Sequence, residues 1–163
     1  MMEYFCNDCV DHIVYPILIK NRGSEYLTLY YYTDCSDAIL HRDGKQILYF
    51  SSIRELNRFC KDNALIMEED VSVYDFETPM DNPIDYRRAL NNWNLLNTIA
   101  GICGMYFEGD RREYNVLYDL LFRLCMPEEP IPSTYRLKER DYRNILKVFR
   151  KKDRYLGLFA LIE

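Results

Sequence analysis

The sequence predicts an α+β fold, and three observations carry that prediction. Short runs of β-branched and aromatic residues fill the first fifty positions, and helical apolar spacing takes over after Ser52. A proline-rich stretch then separates an apolar helical segment from an amphipathic one in the last third. At 163 residues the chain suits one domain, 1–163, large enough to bury a core without covalent staples. The expected architecture is an N-terminal antiparallel sheet packed with about four helices, the C-terminal part being helix-rich.

Ile13-Val14-Tyr15 and Ile17-Leu18-Ile19 flank Pro16, which predicts an edge strand or a bulge because proline cannot donate to a ladder. Asn21 to Ser24 reads as a turn, and Tyr26 to Thr33 as a second strand. Residues 38–42 meet Asp43-Gly44, a hairpin signal, and Gln46 to Phe50 return as a strand. Ser52 and Glu55 form a capping box for a helix that buries Ile53, Leu56, Phe59 and Cys60 and ends at Asp62-Asn63. Residues 71–76 make one further short strand.

The organising element is residues 82–104. Asn82 is the expected N-cap, Pro83 the first helical residue, and Asp85 faces the positive end of the dipole. Ala89, Leu90, Trp93, Leu96, Ile99, Ala100 and Cys103 follow at helical spacing, and Gly104 stops the helix. Trp93, the single tryptophan, sits in mid-stripe. Glu113 to Cys125 is a second apolar helix, residues 126–133 a stiff connector, and Lys138 to Lys152 an amphipathic helix with a basic outer face. The tail from Tyr155 to Ile162 is too apolar to stay undocked, and either a helical turn or a strand would serve.

Charge is unevenly distributed. Residues 136–154 carry nine basic side chains against three acidic ones, so the rest of the chain holds −11 of a net −5 molecule. A mostly acidic body argues against nucleic-acid binding as a function, since that needs a basic face. The basic helix is explained by cations complementing its C-terminus. Fifteen tyrosines suit half-buried positions and contact surfaces. No apolar run reaches about eighteen residues, so no membrane partner is expected. The start resembles no leader peptide, which with unpaired thiols predicts a cytoplasmic protein.

Catalytic motifs are missing from the sequence. Cys6-Asn7-Asp8-Cys9 has no second close pair to complete a zinc site with His12, Cys35 or His41. The scattered glycines make no phosphate loop, and neither histidine stands in a nucleophile motif. The expectation is no catalytic residue, no metal and no cofactor. The informative polar feature lies between Glu68 and Asp85, where seven acids occur in eighteen residues without a lysine or arginine. Its expected partner-binding residues are Glu68, Glu69, Asp70, Tyr74, Asp75, Phe76, Glu77 and Asp81: carboxylates to steer a basic protein and aromatics to anchor it.

The runs I-L-Y-F-S-S-I-R-E-L-N-R-F-C, E-E-D-V-S-V-Y-D-F, D-N-P-I-D-Y, W-N-L-L-N-T-I and L-K-V-F-R-K-K-D-R-Y-L resemble the immunity proteins of bacterial contact-dependent growth inhibition and related polymorphic-toxin systems. The likeness spans about residues 46–156. It implies a small cytoplasmic, non-enzymatic protein that binds and blocks a cognate toxin domain, often a nuclease. A nuclease is cationic around its cleft, so an acidic, tyrosine-rich inhibitor is its electrostatic complement. The rival readings are a small metal-dependent hydrolase using clustered carboxylates and a nucleic-acid-binding regulator using the basic helix.

Overall fold

The computed structural model describes residues 9–162. Strand β1, Cys9–Asn21, turns at Arg22-Gly23 into β2, Ser24–Thr33. Both turn residues have positive φ, 49° and 76°, matching the right-handed twist of a two-residue hairpin. Next come β3 (Asp37–Ile39), β4 (His41–Arg42) and β5 (Gln46–Tyr49). Asp43 and Gly44, at φ 53° and 62°, make the expected turn between the last two. Helix α1 is Ile53–Asp62, followed by β6 (Ile66–Met67) and β7 (Ser72–Asp75). The rest is α2 (Tyr86–Ile102), α3 (Asn115–Cys125), α4 (Glu139–Arg150), a single turn α5 (Asp153–Leu156) and β8 (Phe159–Leu161). The chain is therefore α+β, with most strands in its first half.

The antiparallel group β1–β2–β3 gains two parallel neighbours, β6 and β7, both along β1. Strand β1 is thus central and not at an edge, and the position of Pro16 has a specific explanation. Leu29, opposite Pro16, accepts from Leu40 on its far side at 2.9 Å, so the Pro16 nitrogen points away from β2. It faces the one place where that flank is vacated, between Met67 opposite Val14 and Ser72 opposite Ile17. The irregularity of β1 lies earlier, between Cys9 and Val14, where Asp11 and His12 take positive φ. A second sheet, β4–β5–β8, is closed by the C-terminal strand running parallel to β5. The tail docks in both anticipated ways, as a turn and then a strand.

Helix ends were partly misread by the sequence rules. Ser52 caps α1 by accepting from Glu55 N, but the Glu55 carboxylate reaches Ser51 at 2.6 Å and not the cap residue itself. Ile53 is half exposed, because Leu56 and Cys60 supply the buried side of α1. The cap of α2 is Asp85, accepting from Arg88 N at 3.0 Å, and Pro83 lies outside the helix after a cis peptide bond. Asn82 is occupied elsewhere: its amide donates to Leu137 O and accepts from Leu137 N, each at 3.0 Å. Gly104 does end α2, at φ 63°, with Met105 N bonded to Ala100 O and Gly104 N to Gly101 O.

The main sheet is covered on both faces. Ile17 and Ile19 meet Trp93, Leu96 and Ile99 of α2, and behind that helix lie Leu117, Leu121, Ile145 and Val148 of α3 and α4. Val14, Leu29 and Tyr31 face Leu56 and Cys60 of α1. The Trp93 ring meets Phe107 edge-on at 5.6 Å and Phe149 at 6.3 Å. Gly109 is buried against the first two of these rings; a Cβ there would stand 2.6 Å from Trp93 and closer still to Phe107. Gly109→Ala should therefore cost about 1–3 kcal/mol by overpacking, read as a lower urea midpoint at unchanged m-value.

Candidate functional site

Alternation along the central strands gathers tyrosines on one face. Tyr15 pairs directly with Tyr30, Ile19 with Tyr74, and Tyr32 with Asp37. Tyr15, Tyr30, Tyr32, Asp37 and Tyr74, with Ile17 and Ser72, form a groove of about 300 Å³ whose other wall is Asn91 and Asn94 of α2. Tyr32 meets Tyr15 edge-on at 5.5 Å and Tyr30 at 5.4 Å, so the rings brace one another. Tyr32 is 47% exposed, whereas Tyr15, Tyr30 and Tyr74 are half-buried.

The phenols here are held neutral. Burial pushes Tyr30 far above its ordinary 10.0, and a hydrogen bond to the Asp37 carboxylate adds to the effect. Tyr32 and Tyr74 move the same way, by burial first and then by neighbouring phenols and Asp37. The groove offers rigid aromatic rims with hydroxyl donors, two amide side chains and one carboxylate. That combination suits contact with another protein, since Tyr and Asn supply contact area and adaptable hydrogen bonds.

The acidic segment divides. Glu68, Glu69 and Asp70 lie in the link between β6 and β7, alongside Tyr15 and Pro16 at the sheet margin. They are exposed and, among the described residues, have no side-chain hydrogen bond or ion pair. Tyr74 joins the groove. Asp75 instead accepts from Glu77 N, Thr78 N and the Thr78 hydroxyl; these bonds outweigh its partial burial and hold its carboxyl below the ordinary range. Glu77 accepts from Gly23 N at 2.5 Å, tying β7 to the first hairpin. Phe76, 8% exposed, belongs to the core, so its ring is not available as an anchor. Asp81 is exposed at the far end of the segment, apart from the other three.

Donors from the helical half hold the backbone between these acids. Lys152 Nζ donates to Phe76 O at 2.6 Å, Arg88 to Thr78 O at 2.6 Å, Tyr142 to Met80 O at 2.7 Å and Arg136 to Asn82 O at 2.7 Å. Three of these cations or phenols come from the basic C-terminal stretch, which thus has an internal structural role. Asn92, 1% exposed on α2, donates to Asp75 O at 2.9 Å.

The cysteine and histidine candidates are placed as follows. Cys6 lies outside the described residues, and Cys9 is buried with its thiol 3.3 Å from Ile13 O. Burial pushes the Cys60 thiol up to about 11 and raises Cys103 and Cys125, so these thiols stay protonated at neutral pH. His41 Nδ1 lies 2.8 Å from Ile39 O, and His41 and Cys35 line a larger cleft of about 620 Å³ beside the C-terminal half of α2. No group of three or more His, Cys, Asp or Glu side chains placed to hold a metal ion occurs among the described residues. No described helix is long and apolar enough to cross a membrane.

No protein-family model and no curated protein matches the chain. One solved structure does match in fold. The C-terminal domain of SatS, crystallised in complex with bromine, superposes with a TM-score of 0.59 over 91% of this chain and 94% of that domain, at 16% identity. At that identity the likeness is one of architecture, covering nearly all of both chains.

Sequence reasoning found Tyr74 and the 68–70 acids but passed over Tyr15, Tyr30, Tyr32 and Asp37. The signal was present: within Y-L-T-L-Y-Y-Y-T, Tyr26, Thr28, Tyr30 and Tyr32 recur at every second position and so share a face. Because the folded-state phenol of Tyr30 is raised, its contribution is complete below pH 10 and is lost as pH climbs above that unfolded value. Tyr30→Phe should therefore show a shallower loss of stability between neutral and strongly alkaline pH than the natural chain, measured by urea unfolding.

Proposed function

We propose that this protein is a non-enzymatic immunity protein that neutralises a basic toxin domain in the bacterial cytoplasm by stoichiometric binding, without a cofactor. The toxin domain is a nuclease in this reading. The observation that carries the proposal is the open tyrosine groove lying beside three unpaired carboxylates, Glu68, Glu69 and Asp70. Aromatic rims supply desolvated contact area, and the carboxylates steer a cationic partner toward it. Fast association matters for such a protein, because an unblocked toxin acts on the cell that makes it. The contact surface is thus narrower than the whole acidic segment: Asp75, Glu77 and Phe76 shape the fold, Glu68, Glu69 and Asp70 are exposed, and Tyr74 lines the groove with Tyr15, Tyr30 and Tyr32.

Co-expression with the product of the neighbouring open reading frame should give a one-to-one complex on gel filtration and restore growth. Protection by substoichiometric amounts would indicate turnover and overturn the reading. Reversal of Glu68, Glu69 and Asp70 to lysine should slow association by about tenfold or more at low ionic strength, with the difference shrinking in high salt. Stopped-flow rates that ignore the reversal would remove this margin from the interface.

A further inference from the structure

The outer face of α3 is apolar where a helix of an isolated domain would be polar. Val116 is 65% exposed, Tyr118 37%, Phe122 45% and Met126 68%. Tyr118, Phe122 and Met126 follow one another at four-residue steps, forming a continuous row, and the Tyr118 and Phe122 rings lie 6.4 Å apart at 24°. The opposite side of the helix is fully engaged, since Leu117 and Leu121 are in the core against α2. Beside the apolar row run Asp119 and Arg123, both exposed and one turn apart. Arg123 Nε donates to the Asp119 backbone carbonyl at 3.3 Å, and the two exposed side chains are of opposite sign.

We infer that this face is the contact surface for a second copy of the same chain, packed as an antiparallel α3–α3 pair about a two-fold axis. The charge order selects that occupant. A two-fold axis sets each residue against its counterpart in reverse order, so Asp119 of one copy meets Arg123 of the other, twice, along one flank, while the apolar rows meet beside them. The patch is locally neutral on a chain of net charge −5, so it neither repels its own copy nor attracts a strongly charged partner. Exposed apolar rows of this kind mark association surfaces on soluble chains. None of these residues belongs to the tyrosine groove, so the pairing leaves that groove open and stands apart from the immunity reading.

Sedimentation or light scattering over a wide concentration series should show reversible dimers of the natural chain. Phe122→Glu should weaken the dimer by about tenfold or more while its circular dichroism melt stays near that of the natural chain, because the ring is outside the core. The deciding experiment uses two single variants. Asp119→Arg alone and Arg123→Asp alone should each be monomeric, and mixing them should restore a one-to-one heterodimer. A natural chain that stays monomeric throughout, or variants that dimerise alone as well as mixed, would overturn the inference. Neither outcome bears on neutralisation, which is read separately by growth rescue with the monomeric variants.

Discussion

The arrangement depends on the way one irregular segment, residues 76–82, is held by its carbonyl oxygens. Four donors reach it from four places: Arg88 from α2, Tyr142 from α4, Arg136 from the segment before α4 and Lys152 from the segment after it. Asn82 and Leu137 exchange two further bonds. The bonds to Phe76 O and Met80 O are partly buried, where water cannot freely replace a lost donor, and those to Thr78 O and Asn82 O are exposed, so the first two bind the segment most firmly. This clasp fixes where β7 ends and where α2 begins. It thereby sets the distance between the sheet face bearing the tyrosines and the helix bearing Asn91 and Asn94.

The charge distribution has a different meaning in the folded chain from the one its linear order suggests. Nine basic residues near the C-terminus and seven acids before α2 look like two opposed surfaces. In the fold several of them meet, but through the backbone: Lys152 and Arg136 bind carbonyls between the acids, whereas Asp75, Glu77 and Asp85 serve amides of turns and a helix start. Direct ion pairs in the region are few, and exposed pairs of that sort contribute little. What remains unpaired and outward is the short acidic run 68–70 and, separately, Asp81.

Much of the architecture was legible where one periodicity dominated. The α2 stripe from Ala89 to Ala100, the Asp43-Gly44 turn and the Gly104 stop follow from local rules and stand in the structure. The failures occurred where a distant partner outbid a local preference. Asn82 has the chemistry of a cap, yet Leu137, fifty-five positions away, takes both ends of its amide. Strand β6 is only two residues long, too short for any alternating pattern, and exists because β1 offers it a ladder. The groove was visible only in part, since Tyr15, Tyr30 and Tyr74 come from three strands whose register no single stretch encodes. The SatS C-terminal domain keeps a comparable architecture at 16% identity, which fits a fold set by such pattern and pairing more than by particular side chains.

Pro16 has a consequence of its own. A residue without an amide proton in a middle strand makes it costless for the neighbouring chain to depart there, and the departing chain is the one that bears Glu68, Glu69 and Asp70. That excursion is anchored at both ends by the ladder yet makes no demand on it in between. Residues inserted or exchanged there would break no ladder bond, so the acidic run is a cassette whose composition the scaffold does not dictate.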